Sequence, residues 1–407
     1  MKIFNSQTSS KEKFKPLKKG KINMYVCGMT IYDYCHIGHA RTFFSFDVMV
    51  NFFKYLNYEV NYVRNITDID DKIIQKAKEE EVPFSLITDK FIKAMNDDFK
   101  ALNIQPPSIE PKVSEHIEDI LEMIENLESN NFAYSGENSD VYFDIEKFPD
   151  YGKLSNRVQE DLDSGSRVEI DKNKKNPNDF VLWKKTSEEP TWDSKWGRGR
   201  PGWHIECSAM SNKYLGNNFD IHGGGLDLKF PHHENEIAQS ECANDSDFAN
   251  YWIHVAPLNV DGKKMSKSLG NYLTIRDLLN DYHPEVLKTF FLLTHYRKPI
   301  NFTASSINEA KNILDKLYES LKDAKKFDSS KVDRKKIESF KEALEDDFNT
   351  SKALKILQKI SQDLNSTREN KGAEEILSNT LKVLGNIIGI FNDASQDYFQ
   401  YGLNQKI

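Results

Sequence analysis

His36-Ile37-Gly38-His39 sets two imidazoles three residues apart around a glycine. On one helical turn they share a face and can donate to phosphate oxygens. A helix N-terminus adds free N–H groups and a positive dipole end. Gly38 leaves bare backbone on which an adenine or ribose could pack. On these residues alone, a pair of ordinary helix-start histidines is an equal reading. Far along the chain, Lys264-Met265-Ser266-Lys267-Ser268 runs into Leu269-Gly270-Asn271. Two lysines flanking serines on a glycine-bounded loop can clamp a pyrophosphate as charge builds on it. Standing alone, that segment is also a plain Lys-rich loop. Between the two lies Gly223-Gly224-Gly225-Leu226-Asp227. Its glycines could approach adenine and Asp227 could accept from ribose hydroxyls, or it is a simple tight turn.

A second kind of chemistry is written in His232-His233-Glu234-Asn235-Glu236. His232 and Glu236 stand at i and i+4, where side chains on a helix share a face and can hold one ion. A zinc site needs about four ligands drawn from Cys, His and carboxylate. Cys27 and Cys207 offer two more. Free cysteines are also common core fillers, and a His–Glu pair is also an ordinary solvated feature. Both readings stay open on these residues alone.

Distant residues meet only if a sheet brings them together. INMYVCGMT, from Ile22, is apolar and β-branched, and reads as a buried strand. The residues from Phe43 through Val48 to Phe53 fit one face of a following helix. Val60, Tyr62 and Val63 suggest a second strand. Strand, helix and strand open a doubly wound, Rossmann-type α/β domain with a parallel sheet. In such sheets the carboxyl ends of the strands converge at one crevice. Residues 81–130 read as helical, broken at Pro106 and Pro107. Residues 131–200 carry aromatics, glycines, prolines and short alternating runs such as DVYFDI. From Trp203 the α/β pattern returns and runs through Asn271. Beyond about residue 300, Ile307, Ala310, Leu314, Leu317 and Leu321 share a helical face, as do Leu377, Leu381, Leu384 and Ile388. The expected organisation is the first half of a catalytic domain in 1–130 and an inserted connective subdomain in 131–200. The second half follows in 201–300, and a C-terminal α-helical bundle in 301–407.

Composition bounds the rest. A chain of 407 residues suggests about two to three domains. With 38% hydrophobic and 29% charged residues, the composition is that of a water-soluble globular protein. No run approaches the roughly 18 apolar residues that cross a bilayer. The start, MKIFNSQTSSKEKFKPLKKGK, lacks the apolar stretch of a secretory signal. A cytoplasmic location without a membrane partner is the expectation. Four cysteines, Cys27, Cys35, Cys207 and Cys242, do not suggest a disulfide framework there. The net charge of −8 does not advertise nucleic-acid binding. Lys11 to Lys21 and Lys322 to Lys341 are Lys-rich, and their simpler reading is solvated surface.

The two lysine- and histidine-bearing motifs, in this order at either end of an α/β domain, resemble the paired signatures of class I aminoacyl-tRNA synthetases. CGMTIYDYCHIGHAR, RNITDIDDKI, PGWHIECSAM and FPHHENEIAQSE are similar to the strings of the cysteinyl-tRNA synthetase family. The likeness covers residues 20–300 and continues more loosely into the bundle. It implies one zinc ion on Cys27, Cys207, His232 and Glu236. It implies a cysteine pocket lined by Gly28, Thr30, Thr67, Trp203 and His204. His36, His39, Lys264 and Lys267 would act on the reacting phosphates. Gly38, Gly223, Gly224, Gly225, Asp227 and Lys267 would hold the nucleotide. The implied reaction joins cysteine to AMP from ATP with Mg²⁺, then to the 3′ end of tRNA(Cys), on a monomer whose bundle binds the tRNA. Zinc held by thiolates is thiophilic, which would separate cysteine from serine where a hydrophobic pocket could not. A related family, the cysteine ligases of mycothiol biosynthesis, shares these motifs and passes activated cysteine to an amino sugar. The bundle after the lysine loop favours tRNA, and the Lys-, Asn- and Ile-rich composition fits poorly with the high-GC bacteria that make mycothiol. A non-catalytic RNA- or cysteine-binding paralogue is a further alternative. Members of the synthetase family commonly continue into a small anticodon-reading region. This chain stops at Gln405-Lys406-Ile407 with no matching basic segment, so that region is expected to be truncated or absent.

Overall fold

Lys21–Val26 (β1) ends in three consecutive buried residues, as expected of a strand covered on both faces. It lies at the centre of a four-stranded sheet in this computed structural model, which describes residues 1–156, 172–322, 324 and 327–401. The other strands are Glu59–Arg64 (β2), Phe219–Gly225 (β3) and Ala249–Val255 (β4). Their order is β4-β3-β1-β2, and every neighbouring pair is parallel. Ile37–Tyr55 (α1) crosses from β1 to β2. Ile205–Leu215 (α2) precedes β3, and Glu234–Asn244 (α3) crosses from β3 to β4. The chain therefore winds outward in opposite directions from β1 and β3. The gap between them is the switch point at which such sheets bind ligands.

Residues 81–130 are less helical than their pattern predicts. Helices Phe84–Ala101 and Ile117–Ser129 flank a segment that lies along β2. There Arg64 N donates to Ile109 O at 3.1 Å and Ile66 N to Pro111 O at 2.9 Å. Proline favours extended backbone in itself and its predecessor, so this run serves the sheet edge instead of a helix. Beyond it, Ala133–Ser135, Val141–Phe143, Phe180–Lys185 and Gly199–Pro201 form an antiparallel sheet in that order. The part of the expected insert at 157–171 lies outside the described residues.

The later helices are Ala304–Ser320 (α4), Arg334–Glu345 (α5), Thr350–Ser366 (α6) and Lys371–Ile387 (α7). The two apolar stripes read from the sequence are buried in one core that also takes in α1. Asp347, fully buried, joins three parts of the chain. It accepts from Phe4 N at 2.9 Å, Tyr296 Oη at 2.7 Å and Arg297 Nε at 2.6 Å, while its own N–H donates to Lys2 O. The Lys-rich stretches are largely paired surface. Lys11 meets Asp346 at 2.6 Å, Lys21 meets Glu59 at 2.8 Å and Lys331 meets Glu375 at 2.8 Å. Lys325, Lys326 and the terminal Gln405, Lys406 and Ile407 lie outside the described residues.

Gly223 lets α1 sit on β3. A Cβ there would enter the Phe46 ring, itself fully buried. Gly223→Ala should therefore destabilise the chain by about 1–3 kcal/mol, the usual cost of overpacking. Urea unfolding with an unchanged m-value checks this, and a wild-type midpoint would contradict it.

Candidate active site

The carboxyl ends of β1 and β3 are joined directly, Cys27 N donating to Gly223 O at 3.0 Å. Past β1 the pairing continues as a pair of loops: Ile31 N donates to Thr67 O and Thr67 N to Met29 O, both at 3.3 Å. Gly28 makes this approach feasible, since a Cβ there would strike the Asn65 carbonyl, and its N–H donates to Asn65 Oδ1 at 2.8 Å. The loops open on a cavity of about 600 Å³. Its walls hold residues of the predicted metal set, of the cysteine pocket and of both phosphate motifs.

At one end stands a cluster of four. The ligand atoms of Cys27, Cys207, His232 and Glu236 lie within 4.8 Å of one another, all buried. Cys27 Sγ is 3.6 Å from Cys207 Sγ and 3.2 Å from Glu236 Oε1, and His232 Nε2 is 3.1 Å from Glu236 Oε1. Ligand atoms around a tetrahedral ion with bonds of about 2.0–2.3 Å are roughly 3.3–3.8 Å apart, so the donors stand at close to the needed spacing. A second foursome, Cys27, His222, His233 and Glu236, meets the same distance limit. It has one thiol in place of two, and neither His222 nor His233 lines the cavity. Their places are behind the first set: His222 Nε2 donates to Glu236 Oε2 at 2.7 Å, and His233 bonds His254 at 2.9 Å. One detail of the expected geometry changes. The helix proper begins at Glu234, and His232 sits in the wide turn Lys229–His233 before it. The spacing still brings the pair together.

Charges in the cluster are divided among its members. Burial and the neighbouring Cys207 push the Cys27 thiol well up. Burial pushes Cys207 up too, but the Cys27 hydrogen bond and His232 bring it down to about 6. Burial would discharge His232, yet the Glu236 carboxylate holds it up to about 10. Glu236 is raised by burial but held well below the usual carboxylate range by His222 and His232. His204 Nδ1 lies 2.9 Å from His232 Nδ1. Burial, with His232 beside it, keeps His204 neutral. An imidazole that accepts at Nδ1 leaves His232 Nε2 as the ligand atom, the usual arrangement behind a metal-binding histidine.

At the other end of the cavity, His36 is the N-cap of α1. Its Nδ1 accepts from Gly38 N at 3.1 Å and His39 N at 3.2 Å, while His39 Nδ1 accepts from His36 N at 3.3 Å. The rings stack with centroids 3.5 Å apart. Burial lowers His36 to about 4, and burial together with His36 holds His39 well below the usual histidine value. Both rings are therefore neutral near pH 7. With each Nδ1 used as an acceptor, the proton of each ring must be on Nε2. The motif thus presents two neutral Nε2–H donors beside the free N–H groups of a helix end. Facing it, Lys264 and Lys267 border the cavity on the loop after Leu258–Val260. Lys267 forms an ion pair with Asp33 and lies over the rings of Tyr32 and Tyr272.

The placement of the remaining residues is mixed. Gly28, Thr30, Thr67, Gly225 and Asp227 line the cavity. So does Trp203, which is 42% exposed and thus a wall residue instead of core, its ring 4.5 Å from that of His232. His204 lies one layer back. Gly223 and Gly224 are not among the lining residues; a Cβ would meet Phe46 at the first and His233 at the second. Gly38 is filled by the His36 ring, 2.9 Å from where a Cβ would stand. Several residues in or just behind the cavity had no signal of their own in the sequence. Asp33 and Tyr32 are hidden in the aromatic run before His36. Glu206 is fully buried and takes the Thr67 hydroxyl at 3.2 Å. His222 interrupts an apolar strand, the one irregularity that could have marked it.

A doubly wound parallel sheet with histidine-capped α1 and the opposing lysine loop defines a class I tRNA synthetase. The profile of the tRNA synthetases class I (C) catalytic domain matches residues 13–312, and that of the DALR domain matches residues 339–392. The Cysteine–tRNA ligase of Legionella pneumophila (strain Corby) is 50% identical over 406 residues, covering 99% of this chain and 88% of the relative. That of Halorhodospira halophila is 49% identical over 403 residues, covering 98% and 87%. The chain belongs to the cysteine–tRNA ligase family. Its fold is also that of more distant synthetases. Mycobacterium tuberculosis methionyl-tRNA synthetase in complex with methionyl-adenylate superposes with a TM-score of 0.65 at 12% identity, over 95% of this chain and 96% of that one. An Agrobacterium radiobacter LeuRS–tRNA–LeuAMS complex gives 0.65 at 10% identity, over 96% and 86%.

The capping arrangement has a pH signature. A histidine whose folded pKa is depressed below its unfolded 6.5 takes up a proton more readily when unfolded. For His36 the associated stability is therefore full above about 6.5 and lost as pH falls toward about 4. Nitrogen-15 NMR of the histidine rings should show His36 and His39 as Nε2–H tautomers that do not titrate between pH 6 and 8. An imidazolium signal in that range would contradict the capping argument.

Proposed function

We propose that this chain activates cysteine with ATP, releasing pyrophosphate, and transfers the cysteinyl group to the 3′ end of tRNA(Cys). The observation that carries the proposal is the thiol-, imidazole- and carboxylate-bearing cluster opening on the same cavity as the two phosphate motifs. The cysteine carboxylate oxygen attacks the α-phosphorus of ATP, a new O–P bond forms, and the bond to the β-phosphate oxygen breaks. A terminal ribose hydroxyl of tRNA then attacks the activated carbonyl and expels AMP. Little side-chain acid–base chemistry is required, so positioning and charge stabilisation dominate.

The cluster suits zinc by its donor set, and Cys27, Cys207, His232 and Glu236 would hold it. A bound zinc ion would supply a thiophilic Lewis acid for the substrate sulfur. His204 keeps His232 in its ligating tautomer, and His222 turns one Glu236 oxygen away from the cluster. Thr67, fixed by Asn65 and Glu206, and Trp203 would hold the rest of the amino acid. The Nε2–H groups of His36 and His39 meet the triphosphate at the start of α1. Lys264 and Lys267 neutralise the departing pyrophosphate, and Asp227 is placed for the ribose. Mg²⁺ accompanies ATP. The bundle of 301–407, which includes the DALR match, is the expected tRNA contact. With this reading go a monomer and a cytoplasmic location; among the described residues no helix is long and apolar enough to cross a membrane. Relatives at about half identity carry the name Cysteine–tRNA ligase, which lends no support to the amino-sugar ligase or to a non-catalytic paralogue.

ATP–pyrophosphate exchange with cysteine tests the activity, and charging of tRNA(Cys) its acceptor. Lys267→Ala should slow exchange by about 10²–10³, the scale of one lost transition-state donor, while leaving cysteine affinity nearly unchanged. A normal exchange rate in that variant would sink the loop assignment. The purified chain should hold one zinc, lost from Cys207→Ser. Serine should be activated about 10⁴–10⁵ less well than cysteine by the zinc-loaded enzyme. Comparable activation of the two amino acids would remove the metal from substrate selection.

A further inference from the structure

Lys72 is a third cation at the phosphate end of the cavity, outside both lysine- and histidine-bearing motifs. It lines the same cavity as Lys264 and Lys267. Its Nζ lies 5.2 Å from the centre of the Tyr32 ring, and Lys267 Nζ lies 5.7 Å from that same centre. The two ammonium groups thus gather at one aromatic side chain from different parts of the fold. Their circumstances differ. Lys267 sits on a loop and is engaged by Asp33. Lys72 is exposed, and among the described residues it makes no ion pair.

Its backbone is also held more firmly. Lys72 is in the first turn of helix Asp71–Glu79, whose N-cap Asp70 accepts from Lys72 N at 2.8 Å. Asp71 beside it is tied to the inserted sheet through Arg200, itself almost fully buried, and through Lys184 at 3.6 Å. Two neighbouring carboxylates are therefore spent on the helix cap and on the insert. Lys72 remains, pointing into the cavity from a helix end whose dipole favours an anion.

We propose that Lys72 binds the β- and γ-phosphates of ATP, and the same pyrophosphate in the reverse direction. This rests on the ligase function proposed above and adds a residue to it. Lys267 has to leave Asp33 before it can meet the phosphates, so its contact is made late and belongs to the transition state. Lys72 has no ion pair to break and is present when ATP arrives. A contact made equally in the ground and transition states lowers KM without raising kcat. The two lysines should thus be separable by kinetics.

Lys72→Ala and Lys72→Arg are made in the full chain, with thermal unfolding compared to the wild type. In ATP–pyrophosphate exchange, Lys72→Ala should raise KM for ATP and for pyrophosphate about tenfold, the scale of one charge-assisted contact, with kcat within about threefold. Lys72→Arg should recover most of the loss. Transfer from preformed cysteinyl-adenylate to tRNA should be unchanged. An unchanged KM for both anions would overturn the proposal. So would a defect confined to transfer, which would place Lys72 against the tRNA acceptor end. Calorimetric titration with inorganic pyrophosphate keeps the two claims distinct. A wild type that binds pyrophosphate tenfold better than Lys72→Ala supports the lysine even if cysteine-dependent exchange fails, a failure that would count against the ligase function alone.

Discussion

Everything in the catalytic half depends on β1 and β3 lying parallel and adjacent, with the hydrogen bond from Cys27 to Gly223 closing their carboxyl ends. That contact places Cys27, one of the four clustered side chains, at the mouth of the sheet. Beside that contact, Gly223 makes room for Phe46 of α1, and Gly28 lets the next loop approach the Asn65 carbonyl. Once the two strands are joined, α1 must start beside the cavity, and Cys207 and His232 arrive from α2 and the turn before α3. No loop closure is needed to assemble the four donors.

The cavity separates two electrostatic tasks. The sulfur-rich end is deeply buried and keeps its charges paired, so it changes little with the surrounding salt. The other end has neutral imidazoles on a helix terminus and exposed lysines. Neutral donors avoid the desolvation penalty that two stacked imidazolium rings would carry. The cations are kept where water can still reach them until an anion replaces it.

The opening of the parallel sheet was legible because the segment from Ile22 is apolar and β-branched, Val60, Tyr62 and Val63 follow, and the helix between them repeats hydrophobic residues with helical spacing. The four-donor cluster was legible from residue type, and the i, i+4 relation of His232 and Glu236 survived even though His232 precedes the helix. Other features were not. The run from Pro106 to Pro111 pairs with β2, which its local pattern does not announce, because the partner is distant in sequence. The packing neighbours of Gly223 and Gly224 were hidden for a related reason. A glycine needed for packing and a glycine needed for a ligand look the same until the neighbouring ring is known. His204 belongs behind the metal set because its partner, His232, comes from another segment.

The Asp347 junction imposes an order in time on the making of the molecule. Its bond to Phe4 spans 343 residues of chain. At a synthesis rate of about 5–20 residues per second, Phe4 waits on the order of tens of seconds for this partner. The catalytic sheet can assemble during that interval, since its strands end at Val255. The segment after the sheet thus carries the clasp for Lys2 and Phe4, and that contact cannot close until Asp347 has been made.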